Sequence, residues 1–400
     1  MSGRWFLLAV LTASYGAGAF GMLGISPLSP SLVEDFALSR LEVALIVPSI
    51  YLGGLFFSLP GGQLADRFGV RKSLLGGLAV VAGGLLAGAW APAFPTFLAC
   101  LFVAGVGWSV VNPALGRAII DLFPVRERGM AMGIKQMGLT LGGVASALVL
   151  PVVAASLGLR VAMATCAVVV ALPVALTYRV LARLDHGARA DDRPHTLHAA
   201  DWSWLRRPAL LVFFATGLVL GMVQAAVLSY LPLYAVQALG FSAVQAGLLV
   251  ASSQAGGAVA RLALGAASDR WLTGQRSLWL ALTGLVGALI FTTYAAWPVN
   301  GAAFAGVLAF ASGVGAYGWV GIFFVVSAEV GGRAAAGLLS GVAFAAIVVG
   351  LLTGPAAFGL LLVRANSYAL PWAVFAGLAA LVTVATLVAG PAIDRQRVVS

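Results

Sequence analysis

Gly62-Gln63-Leu64-Ala65-Asp66-Arg67-Phe68-Gly69-Val70-Arg71-Lys72 sets one acidic and three basic side chains between two long apolar runs. Charges are costly inside a bilayer, whereas glycine lets a chain bend and lets neighbouring helices approach closely. The stretch therefore reads as a charged turn joining two membrane helices. A degenerate copy, Gly265-Ala266-Ala267-Ser268-Asp269-Arg270, occupies a corresponding place in the second half of the chain.

Outward from that turn, apolar runs recur along nearly the whole sequence. A helix needs about 20 apolar residues to cross the hydrocarbon layer, and twelve such stretches are predicted, at about 5–30, 42–63, 73–92, 95–118, 129–153, 160–180, 208–233, 242–264, 276–297, 301–327, 334–362 and 368–390. Of the 400 residues, 61% are apolar, only 9% are charged and 50 are glycine. This composition excludes a soluble enzyme and defines an all-α, polytopic membrane protein. The first run could pass for a secretory signal, but it continues uncharged to about Val33, which makes it the first membrane helix. Cys100 and Cys166 each sit alone in an apolar run, so no disulfide framework or thiolate metal site is expected.

The net charge of +10 would suggest nucleic acid in a soluble protein, but here loop topology accounts for it. Arg40, Arg160 and Arg364 fall in loops on one side of the bilayer. Arg117, Lys135 and Arg261 fall within spans, and the remaining seventeen basic residues share the other side. The positive-inside rule makes that side cytoplasmic, together with both termini and the polar loop 183–207. This loop separates a first half, 1–182, from a second, 208–400. The halves repeat: Pro27-Leu28 matches Pro232-Leu233, Ser39 matches Ser242, Gly53-Gly54 matches Gly256-Gly257, Asp66-Arg67 matches Asp269-Arg270, Arg128 matches Arg333 and Pro151 matches Pro355, at offsets of 203 to 205.

The Gly62–Lys72 stretch resembles the signature loop of the major facilitator superfamily, and Asp121-Leu122-Phe123-Pro124-Val125-Arg126-Glu127-Arg128-Gly129 resembles its loop between spans four and five. The resemblance covers the whole chain and implies two six-helix halves rocking about a substrate held between them. It assigns gating to Gly62, Asp66, Arg67, Gly69, Arg71, Asp121, Asp269 and Arg270. The family usually has a basic residue where Val70 stands, so the charge relay is expected through Arg67 or Arg71, toward Asp121. The drug-exporter pattern is broken, because Leu101 replaces its span-four arginine and Gly138-Leu139-Thr140-Leu141-Gly142-Gly143 lacks its Gly-Pro pair. The face Gly138, Gly142, Ser146 still permits tight helix packing, as does Gly350 to Pro355 in span eleven.

Ionisable residues at membrane depth are candidates for function. No acidic residue falls near the middle of a span; Glu42 lies in the first turn of span two. Among the basic ones, Arg117 lies near an interface where it can snorkel. Arg261 is deeper, and substrate contact and structural pairing both fit it. Lys135, beside Gln136, has no charged counterpart at Leu339-Ser340, and an asymmetric charge is harder to explain as scaffold. The resemblance implies that spans one, four, seven and ten line the cavity, which adds Tyr15, Trp108, Asn112, Gln224, Tyr317 and Trp319, joined by Tyr51 and Gln254.

No enzyme signature competes. His186, His195 and His198 all lie in the central loop, and no Gly-x4-Gly-Lys-Ser/Thr loop exists for ATP. A cavity with basic candidates and no buried carboxylate favours an anion, because a cation would meet an uncompensated positive field. The reading is a monomeric secondary transporter of a small organic anion, a carboxylate by preference, in the cytoplasmic membrane and without a cofactor. Lys135 and Arg261 would neutralise the anion, and Asn112, Gln136 and Gln224 would hydrogen-bond it. The alternative is an exporter of hydrophobic compounds, and a transport-inactive scaffold is a more distant rival.

Overall fold

The computed structural model describes residues 3–185, 207–271, 275–297 and 299–396. Among them there is no strand, and twelve helical segments are long and apolar enough to cross a membrane. The helices are α1 (Gly3–Leu23), α2 (Ser29–Phe36), α3 (Arg40–Ala89), α4 (Phe94–Leu122), α5 (Val125–Leu157), α6 (Leu159–Asp185), α7 (Pro208–Gln237), α8 (Ala243–Arg270), α9 (Arg276–Ala296), α10 (Ala302–Tyr317), α11 (Val320–Ala365) and α12 (Ala369–Arg395). All twelve predicted spans have a counterpart among the spanning segments. Most of the central loop, including its three histidines, lies outside the described residues.

The structure departs from the expected outline in three places. Span one ends at Leu23 rather than near residue 30. The apolar run goes on, but Pro27 and Pro30 each lack a backbone N–H, so the chain turns over 24–28 and restarts as α2 with Pro30 in its first turn. The matching proline of the second half, Pro232, is carried inside the unbroken α7, so the repeat is not followed here. Spans two and three form one helical run whose corner is Gly69, at φ 78°, ψ 166°. A side chain with Cβ rarely adopts that region, which explains the glycine in the signature loop. Span ten is interrupted between Tyr317 and Val320, so its last turns belong to α11.

Local chemistry repeats where the sequence does. Ser39 caps the start of span two: its Oγ accepts from the Glu42 N–H, and Glu42 Oε2 accepts from the Ser39 N–H. Ser242 and Gln245 form the same reciprocal pair at the start of span eight. Val70, where a basic residue was expected, is 4% exposed. An apolar side chain fits that packed position, and a charged one would have to be desolvated there.

The chain divides into two compact units, one of Met1–Asp192 with Phe241–Ala251, the other of Arg193–Gly240 with Ser252–Ser400. In the first, span five packs on span one through glycine. A Cβ on Gly142 would strike the Gly16 carbonyl, and one on Gly138 would strike the Thr12 carbonyl. The first turns of span eight also belong here, with Val250 and Ala251 packed on Ala147. In the second, Gly350 and Gly354 let span eleven lie against Leu218 and Met222 of span seven. Small residues at these crossings replace the missing hydrophobic driving force between helices in lipid.

Candidate functional site

Four of the sequence candidates meet in the first unit. Asn112 lies ten residues before the end of α4 and Lys135 ten residues after the start of α5. The two helices are antiparallel neighbours joined by a tight connection, so equal distances put both residues about 15 Å along their helices at one level. Lys135 Nζ donates to Asn112 Oδ1 at 2.6 Å. The same ammonium lies 4.9 Å from the centroid of the Tyr15 ring, and Tyr15 stacks on Trp108 at 5.2 Å with an interplanar angle of 1°. Gly18 makes room for that indole, since a Cβ there would meet both the Trp108 ring and Leu78.

Lys135 is 6% exposed, whereas Asn112 is exposed. Among the described residues Lys135 makes no ion pair; its partners are an amide oxygen and an aromatic face, both neutral. Hydrogen bonding and a cation–π contact offset part of the desolvation of a buried ammonium, but neither supplies an opposite charge. One turn below, Ala131 packs with Leu8, Ile119 and Phe123 into an apolar cluster that Trp5 and Met132 extend. Gln136, the neighbour of Lys135, is exposed and is not part of the cluster.

The remaining candidates lie in the second unit and differ in kind. Arg261 donates from Nε to the Tyr317 carbonyl at 2.9 Å, where the ladder of span ten is interrupted. A guanidinium at that helix end is well placed against the local dipole, and this anchoring role is one of the two readings left open by the sequence. Tyr317 is 4% exposed. Trp319 is fully buried: its indole N–H donates to the Ala316 carbonyl at 2.9 Å, and it packs on Phe323. An indole with its one donor spent inside the core serves packing. Gln254 is 9% exposed. Gln224 is half-buried, and its Oε1 is a buried acceptor without a partner among the described residues.

For gating, the side chains of Asp66, Arg67, Asp269 and Arg270 and the surroundings of Gly62 lie outside the described set. Of the rest, Arg71 lies over the Tyr178 ring at 4.8 Å, and Asp121 pairs with Arg117 one turn back on its own helix at 3.8 Å. Arg4 reaches Glu127 at 3.1 Å and also faces Phe123 at 5.6 Å. In the second unit Arg276 pairs with Glu329 at 3.3 Å and donates to Ser268 at 3.2 Å. Arg276, the first residue of α9, was not singled out from the sequence. Asp394 of span twelve accepts from the backbone N–H and the hydroxyl of Ser277, capping span nine.

Twelve spans, a repeated pair of capping boxes and a charged corner at Gly69 define a membrane carrier built from two related halves. The family profile of the Major Facilitator Superfamily matches residues 8–355, and the chain belongs to that superfamily. It is 27% identical over 416 residues to the probable sulfoacetate transporter of Cupriavidus necator, covering 97% of this chain and 94% of the relative. It is likewise 27% identical to the 3-(3-hydroxy-phenyl)propionate transporter of Escherichia coli, over 65% of this chain and 63% of that one. The crystal structure of a bacterial homologue of the human lysosomal transporter Spinster, inward-facing and occupied, superposes with a TM-score of 0.80 over 99% of both chains at 16% identity, a likeness of fold.

Proposed function

We propose that this transporter moves a small organic anion, a carboxylate by preference, with the Lys135 ammonium as the charge that recognises it. The observation that carries the reading is a buried cation whose partners are neutral. A bound anion completes the charge balance that the protein leaves open. Asn112 adds hydrogen bonding, and Tyr15 and Trp108 form the aromatic wall that fixes the ammonium and limits the room around it. Gln136 beside Lys135, and in the second unit Gln224, with its unpartnered acceptor, Gln254 and Tyr317, are proposed as further substrate contacts, and Arg261 is proposed to neutralise the anion in addition to its hold on Tyr317. Two similar transporters, for sulfoacetate and for 3-(3-hydroxy-phenyl)propionate, carry substrates with a carboxylate, which supports the class.

Transport proceeds by alternating exposure of the site, with Asp66, Arg67, Gly69, Arg71, Asp121, Asp269 and Arg270 at the corners that open and close. The chain works as a monomer in the cytoplasmic membrane with both termini on the cytoplasmic side. The test is a thermal-shift screen of the purified protein against carboxylates, sulfonates, cationic drugs and neutral solutes, repeated with Lys135→Ala, since a ligand that binds only the folded state raises its stability. Stabilisation by organic anions that vanishes in a folded Lys135→Ala protein is the expected result. Stabilisation confined to hydrophobic cations, indifferent to Lys135, would overturn it in favour of an exporter.

A further inference from the structure

Asn112 supplies more than an anchor for Lys135: we infer that this amide sets the charge selectivity of the site, keeping it net positive, and that its Nδ2 is the second donor to a bound carboxylate or sulfonate. The inference rests on the anion-transport reading above.

An ammonium can only donate, so the amide atom 2.6 Å from Lys135 Nζ is the oxygen, which leaves the N–H donors of Nδ2 for another partner. Among the described residues that nitrogen has no hydrogen-bond partner, and Asn112 is exposed while Lys135 is buried. Two nitrogen donors therefore flank one shared oxygen, an arrangement that can reach both oxygens of a carboxylate. The second consequence concerns charge. Position 112 is where an acidic residue of the same shape would give Lys135 an internal counter-ion at salt-bridge distance. Asparagine occupies the place without supplying the charge, and the other two members of the cluster, Tyr15 and Trp108, supply none either. Replacing one amide nitrogen with oxygen would take the site from one net positive charge to none, with almost no change in volume.

The experiment compares wild type, Asn112→Ala, Asn112→Asp and Lys135→Met as full-length purified proteins. Thermal-shift titrations with sulfoacetate, with 3-(3-hydroxyphenyl)propionate and with the neutral amide of the latter give apparent affinities. Asn112→Ala removes a donor but leaves the site positive, so affinity for the anion should fall roughly 3- to 10-fold with the preference for acid over amide kept. Asn112→Asp should lower anion affinity by at least about tenfold and erase that preference. Its ligand-free melting temperature should be no lower than that of Asn112→Ala, because the new carboxylate pairs with Lys135. Equal losses in the two Asn112 variants, with the acid still preferred in both, would reduce Asn112 to an anchor and overturn the inference. So would an Asn112→Asp protein that melts below Asn112→Ala. Wild-type anion affinity in Lys135→Met would instead remove the anion reading itself, a separate failure.

Discussion

The Lys135 ammonium sits against one face of Tyr15, whose ring also stacks on Trp108, so the aromatic pair serves as the wall that holds a charge. A cation over a desolvated ring gains up to about 2 kcal/mol. Tyr15→Phe keeps the ring, whereas Tyr15→Leu removes it and should be less stable than Tyr15→Phe by about 1–2 kcal/mol. Comparable melting of the two variants in detergent would show that the ring face contributes nothing to holding Lys135. Tyr15, Trp108, Asn112 and Lys135 could each be named from their depth in a span, but their grouping could not be read from hydropathy. One signal for the pairing was present, the equal spacing of Asn112 and Lys135 from the connection between spans four and five. Trp319 shows the converse, because an aromatic at the same depth is equally at home inside the core, and only packing tells the two apart.

Spans one and five cross at glycines, and that crossing sets the distance from Lys135 to Tyr15. A side chain on Gly142 has no space, since its Cβ would meet backbone of span one, whereas a Cβ on Gly133 of the same helix meets nothing within 4 Å. Gly142→Leu is therefore expected to cost about 1–3 kcal/mol or more through overpacking. Gly133→Ala should be neutral or stabilising by up to about 1 kcal/mol, as expected for replacing glycine within a helix. Melting temperatures of the two purified variants check this directly, and a Gly142→Leu protein as stable as wild type would remove the close crossing. Element identity was legible because apolar length decides it. The ends of span one were not, because a continuous apolar run conceals where two prolines stop the backbone ladder. The break in span ten was hidden for a related reason, since Tyr317-Gly318-Trp319-Val320 contains no proline and only the structure shows Arg261 on the Tyr317 carbonyl.

At the scale of the whole carrier, the proposed anion site, if left empty with an uncompensated positive charge, should change sides less readily than when an anion neutralises it. Proteoliposomes preloaded with the unlabelled anion should take up labelled anion several-fold faster than empty ones. Equal rates would show that the empty carrier returns as easily as the loaded one. Asp66→Asn is expected to slow turnover while leaving the anion's thermal shift intact, because Asp66 lies in the signature loop proposed to gate the carrier. An unchanged turnover rate in that variant would rule out its gating role. By itself the sequence determined the class: apolar length and charge avoidance specify twelve spanning helices, since these depend on the bilayer as solvent rather than on which helix touches which. Only the tertiary structure decided that Lys135 is buried among neutral partners, that Arg261 holds the end of a helix and that Trp319 is core, because in lipid every helix is apolar and close packing of small residues selects which polar side chains meet.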